Sequence, residues 1–169
     1  MIINWIKEET QKNVKLTLLF RKSRDGLTDQ SYVSKVYEKG PTLNVIKTNF
    51  DKVIVAFTMV PWKQISGYAY AQDNQAFIGY VEQNFKAKAK QSGNNICHQS
   101  DRLVRFAGGK QGDLSILNEK SNSYFNLGTY FHLPPGYSHN QQKTYEDLIG
   151  SKKAEISIKD LDCYLVEFY

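Results

Sequence analysis

The chain has 169 residues, with 22 basic and 17 acidic side chains and a net charge of +5. One domain of this size can bury about 70% of its unfolded surface, and 41% hydrophobic with 23% charged residues is ordinary for a soluble globular protein. Two cysteines, with no repeat, heptad or low-complexity run, exclude a disulfide scaffold, a coiled coil and a repeat array.

Both signs of charge are interspersed, which reads as solubility more than as a dedicated acidic partner. Eleven Tyr and nine Phe favour β structure. Ile2, Ile3, Trp5 and Ile6 predict a short amphipathic helix within residues 1–13, docked on a body spanning 14–169. This apolar start is too short for a signal peptide or a membrane span and would anchor weakly at a bilayer surface. With no N-x-S/T acceptor and no paired cysteine spacing, the expected compartment is the reducing cytoplasm.

Residues 16–20 read as a strand meeting Arg21 and Lys22. Ser23-Arg24-Asp25-Gly26 is turn chemistry, with Gly26 able to take φ > 0 and Asp25 able to bond nearby backbone. Thr28 caps a helix to about residue 38, with Tyr32, Val33 and Val36 on one face. Gly40-Pro41 stops it, Gly40 serving as the left-handed residue, and Thr42 starts the next strand. After a turn at 49–52, residues 52–59 are apolar on both faces, as in a central strand. Trp62 fills core space. Residues 67–73 are Tyr-rich and polar, a loop or an edge, and 75–82 form a strand. Lys86, Lys88 and Lys90 alternate with apolar residues, so they face water and guard a sheet edge. A turn at 92–95 follows. Strands at 102–106 and 114–117 flank a glycine-rich connection. Residues 118–126 are a polar loop, 134–144 a second one, and 154–159 an alternating strand.

Four features bear on chemistry. The loop around Gly108, Gly109 and Gly112 has its lysine inside the glycines and a strand after it, unlike a phosphate cradle. His98, His132 and His139 form no metal spacing with Cys97 or Cys163, and Cys97 and His98 are adjacent, pointing to opposite faces of a strand. Cys163 sits in an apolar strand where a thiol is inert, and Cys97 has no nucleophile context. Arg24 and Asp25 are the one suggestive charged pair: they shape the turn, or they present a loop to a partner.

Several of these segments together resemble the TLDc domain. The family's LLYR-like strand, S-R-D-G turn and K-G-P-T-L appear as Leu18-Leu19-Phe20-Arg21, Ser23-Arg24-Asp25-Gly26 and Lys39-Gly40-Pro41-Thr42-Leu43. Trp62 matches the family's aromatic, Gly108-Gly109 with Asp113-Leu114 its F-G-G and D-L-x-I boxes, and Asn126-Leu127-Gly128 the next. Ile158 to Tyr164 resembles its terminal V-K-D-I-E-V-F, with Asp162 where Glu is usual. Val55-Ala56 stands where the family has Gly-Gly, and Val36 where it often has Cys.

The expected fold is a mainly β, two-sheet antiparallel sandwich flanked by short helices. The resemblance implies a non-catalytic protein-interaction module linked to oxidative-stress protection and to the vacuolar-type proton ATPase. The competing readings are a scaffold subunit of a larger, for example cytoskeletal, assembly, a Cys97- or histidine-dependent enzyme, and a nucleic-acid binder through Lys86, Lys88 and Lys90. No cofactor or metal is expected. Protein partners are, with no nucleic acid and no membrane insertion, and Arg24 and Asp25 are the candidate contact residues.

Overall fold

The computed structural model describes residues 1–90, 93–107 and 112–169. Gly108, Gly109 and the middle of their loop, and the start of the turn expected at 92–95, lie outside the described residues. The chain runs α1 (Ile2–Thr10), β1 (Val14–Arg21), α2 (Lys22–Asp25), α3 (Asp29–Val36), β2 (Thr42–Thr48), β3 (Val53–Thr58), β4 (Tyr68–Ala71), β5 (Phe77–Tyr80), β6 (Phe85–Lys88), β7 (Ile96–Gln99), β8 (Val104–Phe106), β9 (Leu114–Ile116), β10 (Ser123–Tyr124), α4 (Gln142–Ile149), β11 (Glu155–Ile156) and β12 (Ile158–Phe168). Two six-stranded antiparallel sheets result, ordered β1-β12-β2-β3-β5-β6 and β11-β10-β9-β8-β7-β4. This is the sandwich read from the sequence.

The sheets enclose a core that includes Phe20, Tyr32, Ile54, Trp62, Tyr80, Phe106, Phe131 and Leu161. A second apolar cluster lies on the opposite face of the first sheet, where Trp5 and Ile6 of α1 meet Val14, Leu43, Val55, Phe57, Phe77 and Val166. The first sheet is thus covered on both sides, and this is why β3 is apolar on both faces. Gly79 of β5 makes room for the helix. It pairs with Val55, and a Cβ at Gly79 would stand 2.5 Å from the Trp5 ring and 2.6 Å from Val55.

Local chemistry explains several element ends. Thr28 caps α3 in a capping box with Ser31, and Gly26 takes φ +71 as its turn demands. The helix stops at Val36, two residues earlier than expected. The left-handed residue of its exit is Glu38 (φ 60), whereas Gly40 is absent from the positive-φ residues and lies near Leu165. The Glu38 N–H donates to the Trp62 carbonyl at 2.9 Å, which stabilises that conformation.

Two readings of the C-terminal third change. The loop expected to run to 144 gives way to α4, whose Tyr145, Leu148 and Ile149 are buried and whose C-cap is the left-handed Gly150. The single strand expected at 154–159 is two. Ile156 pairs with Ser123 in the second sheet and Ile158 with Thr48 in the first, so the chain changes sheets at Ser157. Alternation is preserved because both isoleucines point into the same core.

Gly79→Val places a branched side chain against Trp5. It is expected to lower stability by about 1–3 kcal/mol in urea unfolding, the usual cost of overpacking. The Trp5→Ala background should take back part of that loss.

Candidate functional site

Arg21, Arg24, Asp25 and Asp162 converge at one shoulder, where β1, α2, α3 and β12 meet. Arg21, the last residue of β1, faces Asp162 across the β1·β12 ladder. Its guanidinium makes a two-pronged contact, Nε to Oδ1 at 2.9 Å and Nη2 to Oδ2 at 2.7 Å. The Tyr164 hydroxyl donates to the same Oδ2 at 3.0 Å. The shorter carboxylate at 162 therefore makes the full fork with Arg21.

Next to it, Arg24 donates Nε to Asp25 Oδ1 at 2.9 Å and Nη2 to Oδ2 at 2.8 Å. The Arg21 amide also reaches Asp25 Oδ2, and Lys35 stands 3.6 Å from Oδ1. Lys22 donates its Nζ to the Ile158 carbonyl. Arg24 holds the Asp25 carboxyl well below the usual range, with help from the Arg21 amide. Arg21 does the same for Asp162, and Tyr164 adds to it.

The two residues singled out from the sequence differ in role. Arg24 and Asp25 lie on the short helix α2, not on a free loop. The Asp25 side chain is only 8% exposed and fully engaged, whereas that of Arg24 is 51% exposed. Arg24 is thus the accessible member of the pair, and Asp25 orients it. Arg21, Lys35, Asp162 and Tyr164 complete the cluster. The Arg21–Asp162 link was missed because it joins positions 141 apart in sequence.

Other motif residues build structure. Trp62 Nε1 donates to Thr42 Oγ1 at 3.1 Å in the core, and the Pro41 carbonyl accepts from Val166 N. Asp113 is fully buried and accepts three backbone N–H bonds, from Gly128 at 3.0 Å, Tyr130 at 2.7 Å and Phe131 at 3.0 Å. Burial pushes its carboxyl above the ordinary value, and the three amides offset part of the rise. Gly128 takes φ +87 inside this clamp, where a Cβ would meet Leu133 at 2.5 Å, and its carbonyl accepts from Lys90 Nζ.

Of the three lysines expected to face water, Lys88 and Lys90 do, whereas Lys86 is largely covered. Lys86 is only 14% exposed and lies 2.7 Å from Glu8 and 2.6 Å from Glu9, and Lys88 is 2.7 Å from Glu9. Both partners belong to α1, which packs over this end of the sheet. Burial raises the Glu9 pKa, but Lys86 and Lys88 outweigh it and the carboxyl lies below the ordinary value. These lysines hold the helix down.

Cys97 and His98 are consecutive in β7 of the second sheet, and Cys163 lies in β12 of the first. The Cys163 thiol is fully buried and pushed up to about 12 by desolvation. Cys97 is also buried, and burial raises its pKa. His98 is buried edge-on to Trp62, with ring centroids 5.9 Å apart, and burial lowers its pKa. His139 Nδ1 lies 2.9 Å from the Leu127 carbonyl, and His132 is exposed. Among the described residues no group of three His, Cys, Asp or Glu side chains is placed to hold a metal. An open cleft of about 360 Å³ lies between Lys90, Asn94, Asn95, Thr129 and Tyr130, away from both cysteines.

Two stacked antiparallel sheets, the first covered on both faces and bearing a charged shoulder, define a mainly β sandwich domain. The sequence model of the TLDc domain matches residues 1–167, and the chain belongs to that family. No curated protein matches it. No helix among the described residues is long and apolar enough to cross a membrane.

Two measurements test this anatomy. Asp113→Asn turns an amide N–H₂ toward backbone donors and should cost about 1–3 kcal/mol in urea unfolding. The second concerns pH. Asp162 and Asp25 have folded pKa values below their unfolded ones, so their contribution is complete above about pH 4 and is lost as pH falls through the folded values. Asp162→Asn should therefore be less stable than the wild type at neutral pH, with the difference shrinking toward zero in acid.

Proposed function

We propose that the chain is a non-catalytic protein-interaction module of the cytoplasm that works by occupying a surface on a larger assembly. The TLDc family is generally one of non-catalytic modules. The observation that carries the reading is the shoulder itself. Three cations, Arg21, Arg24 and Lys35, surround two carboxylates whose oxygens they already engage. This fixes the half-exposed Arg24 guanidinium in one orientation. A preorganised, partly exposed arginine is a favourable anchor for a partner carboxylate, because little conformational entropy is lost on contact. The buried, raised thiols of Cys97 and Cys163 are poor nucleophiles at neutral pH, which supports binding over a thiol-dependent enzyme.

The partner we propose is the vacuolar-type proton ATPase, with a link to oxidative-stress protection, on the strength of the family. The second reading is a scaffold role in another assembly such as a cytoskeletal one. Affinity capture with the intact chain separates the two: recovery of proton-pump subunits supports the first, and filament proteins the second. Arg24→Glu should weaken whichever capture occurs by about tenfold or more while leaving the melting temperature within a few degrees. Unchanged capture by Arg24→Glu removes the shoulder from the interface.

A further inference from the structure

We infer that the free edge of β4 is a self-association site, where a second copy of this chain adds its own β4 antiparallel to the first. The inference goes beyond the interaction reading above and does not depend on the shoulder.

Two sheets present four edge strands, and three of them are protected. β1 carries Lys15, Thr17 and Arg21 and is irregular between Leu18 and Phe20. β6 carries Lys86 and Lys88, which are paired to α1, and Ala89 just beyond it bridges to Phe131. β11 has two residues, one of them Glu155. Charge, irregularity, cover and shortness are the ordinary means of blocking edge-to-edge pairing. Among the described residues β4 has none of these except modest length. It reads Tyr68-Ala69-Tyr70-Ala71, with no charge, and Tyr68 is 67% and Tyr70 40% exposed.

The register gives this edge its own complement. Ser100 N donates to the Gly67 carbonyl at 3.0 Å, and Tyr68 lies opposite Gln99, Ala69 opposite His98 and Tyr70 opposite Cys97. Bonded and non-bonded pairs alternate along an antiparallel ladder. Gly67, Ala69 and Ala71 therefore direct their backbone groups to β7, and Tyr68 and Tyr70 direct theirs outward. A twofold axis through Ala69 sets Tyr68 of one copy opposite Tyr70 of the other. Both pairs then exchange N–H···O=C bonds, four in all, and the two sheets join into one of twelve strands.

The side chains agree. Tyr68 and Tyr70 share a face, and their rings already touch edge-on with centroids 5.6 Å apart. The second copy would extend this to four tyrosines across the junction, the cross-strand aromatic arrangement that stabilises sheets. The neutral edge brings no like charges together, and it offers no charge to select a charged peptide instead. The contact is small, so the expected dissociation constant is on the order of 0.1–1 mM.

Sedimentation equilibrium of the intact chain up to about 1 mM, at the weak end of specific association, reads this directly. The expected result is a monomer–dimer equilibrium weakened about tenfold or more by Tyr70→Pro, which removes an outward N–H and leaves every bond to β7 in place. The double variants Tyr68→Lys/Tyr70→Lys and Tyr68→Glu/Tyr70→Glu should each stay monomeric and form a mixed dimer when combined, a readout that serves if the proline variant does not fold. A wild-type chain that stays monomeric throughout overturns the inference, including when its edge captures an unrelated extended peptide. So does a dimer that survives these substitutions.

Discussion

The first sheet must be covered on both faces, and much of the molecule follows from that. Its central strands carry apolar residues on either side, so one face meets the second sheet and the other needs a cover. Helix α1 is that cover. Trp5 lies over Gly79, and Glu8 and Glu9 grip Lys86 and Lys88 at the sheet's last strand. The Glu9–Lys86 pair is largely buried, where desolvation offsets much of the attraction. These ion pairs position a helix whose stabilisation comes from the apolar surface of Trp5 and Ile6. One arrangement thus explains an apolar strand, a glycine in a strand and a largely covered lysine at the sheet's last strand.

At the opposite side of the same sheet, the charges are arranged for orientation. Arg21 and Arg24 each hold a carboxylate in a fork, and the two forks share the Asp25–Arg21 amide bond. The helix that bears Arg24 is one turn long and cannot hold itself in solution. The carboxylate of Asp25 and the Lys22 contact to β12 keep it folded against the sandwich. Asp113 plays the equivalent part for the loop at 126–131, where one buried carboxylate replaces a run of missing ladder bonds. Asp25 and Asp113 each stand where irregular backbone needs an acceptor.

Much of this was legible in the residues. The Thr28 cap, the left-handed Gly26, the central position of β3, the docked first helix and the edge nature of 67–73 all follow from local periodicity or turn chemistry. The helix α4 was legible and was passed over: Tyr145, Leu148 and Ile149 keep helical spacing and Gly150 closes them, but Pro134-Pro135-Gly136 upstream suggested a longer loop. The cover over Lys86 was not legible, because period two places it on a face without saying what lies on that face.

The sequence by itself determined the two-sheet class, the family and most element positions, because alternation, capping and glycine punctuation act over a few residues. Only the tertiary structure decided that Arg21 grips Asp162, that the Asp25 side chain is covered while that of Arg24 is exposed, that the chain changes sheets at Ser157, and that among the described residues the outer edge of β4 is unpaired. Those facts join segments far apart in the chain. Such contacts depend on which strand lies beside which, and no local pattern of residues encodes that.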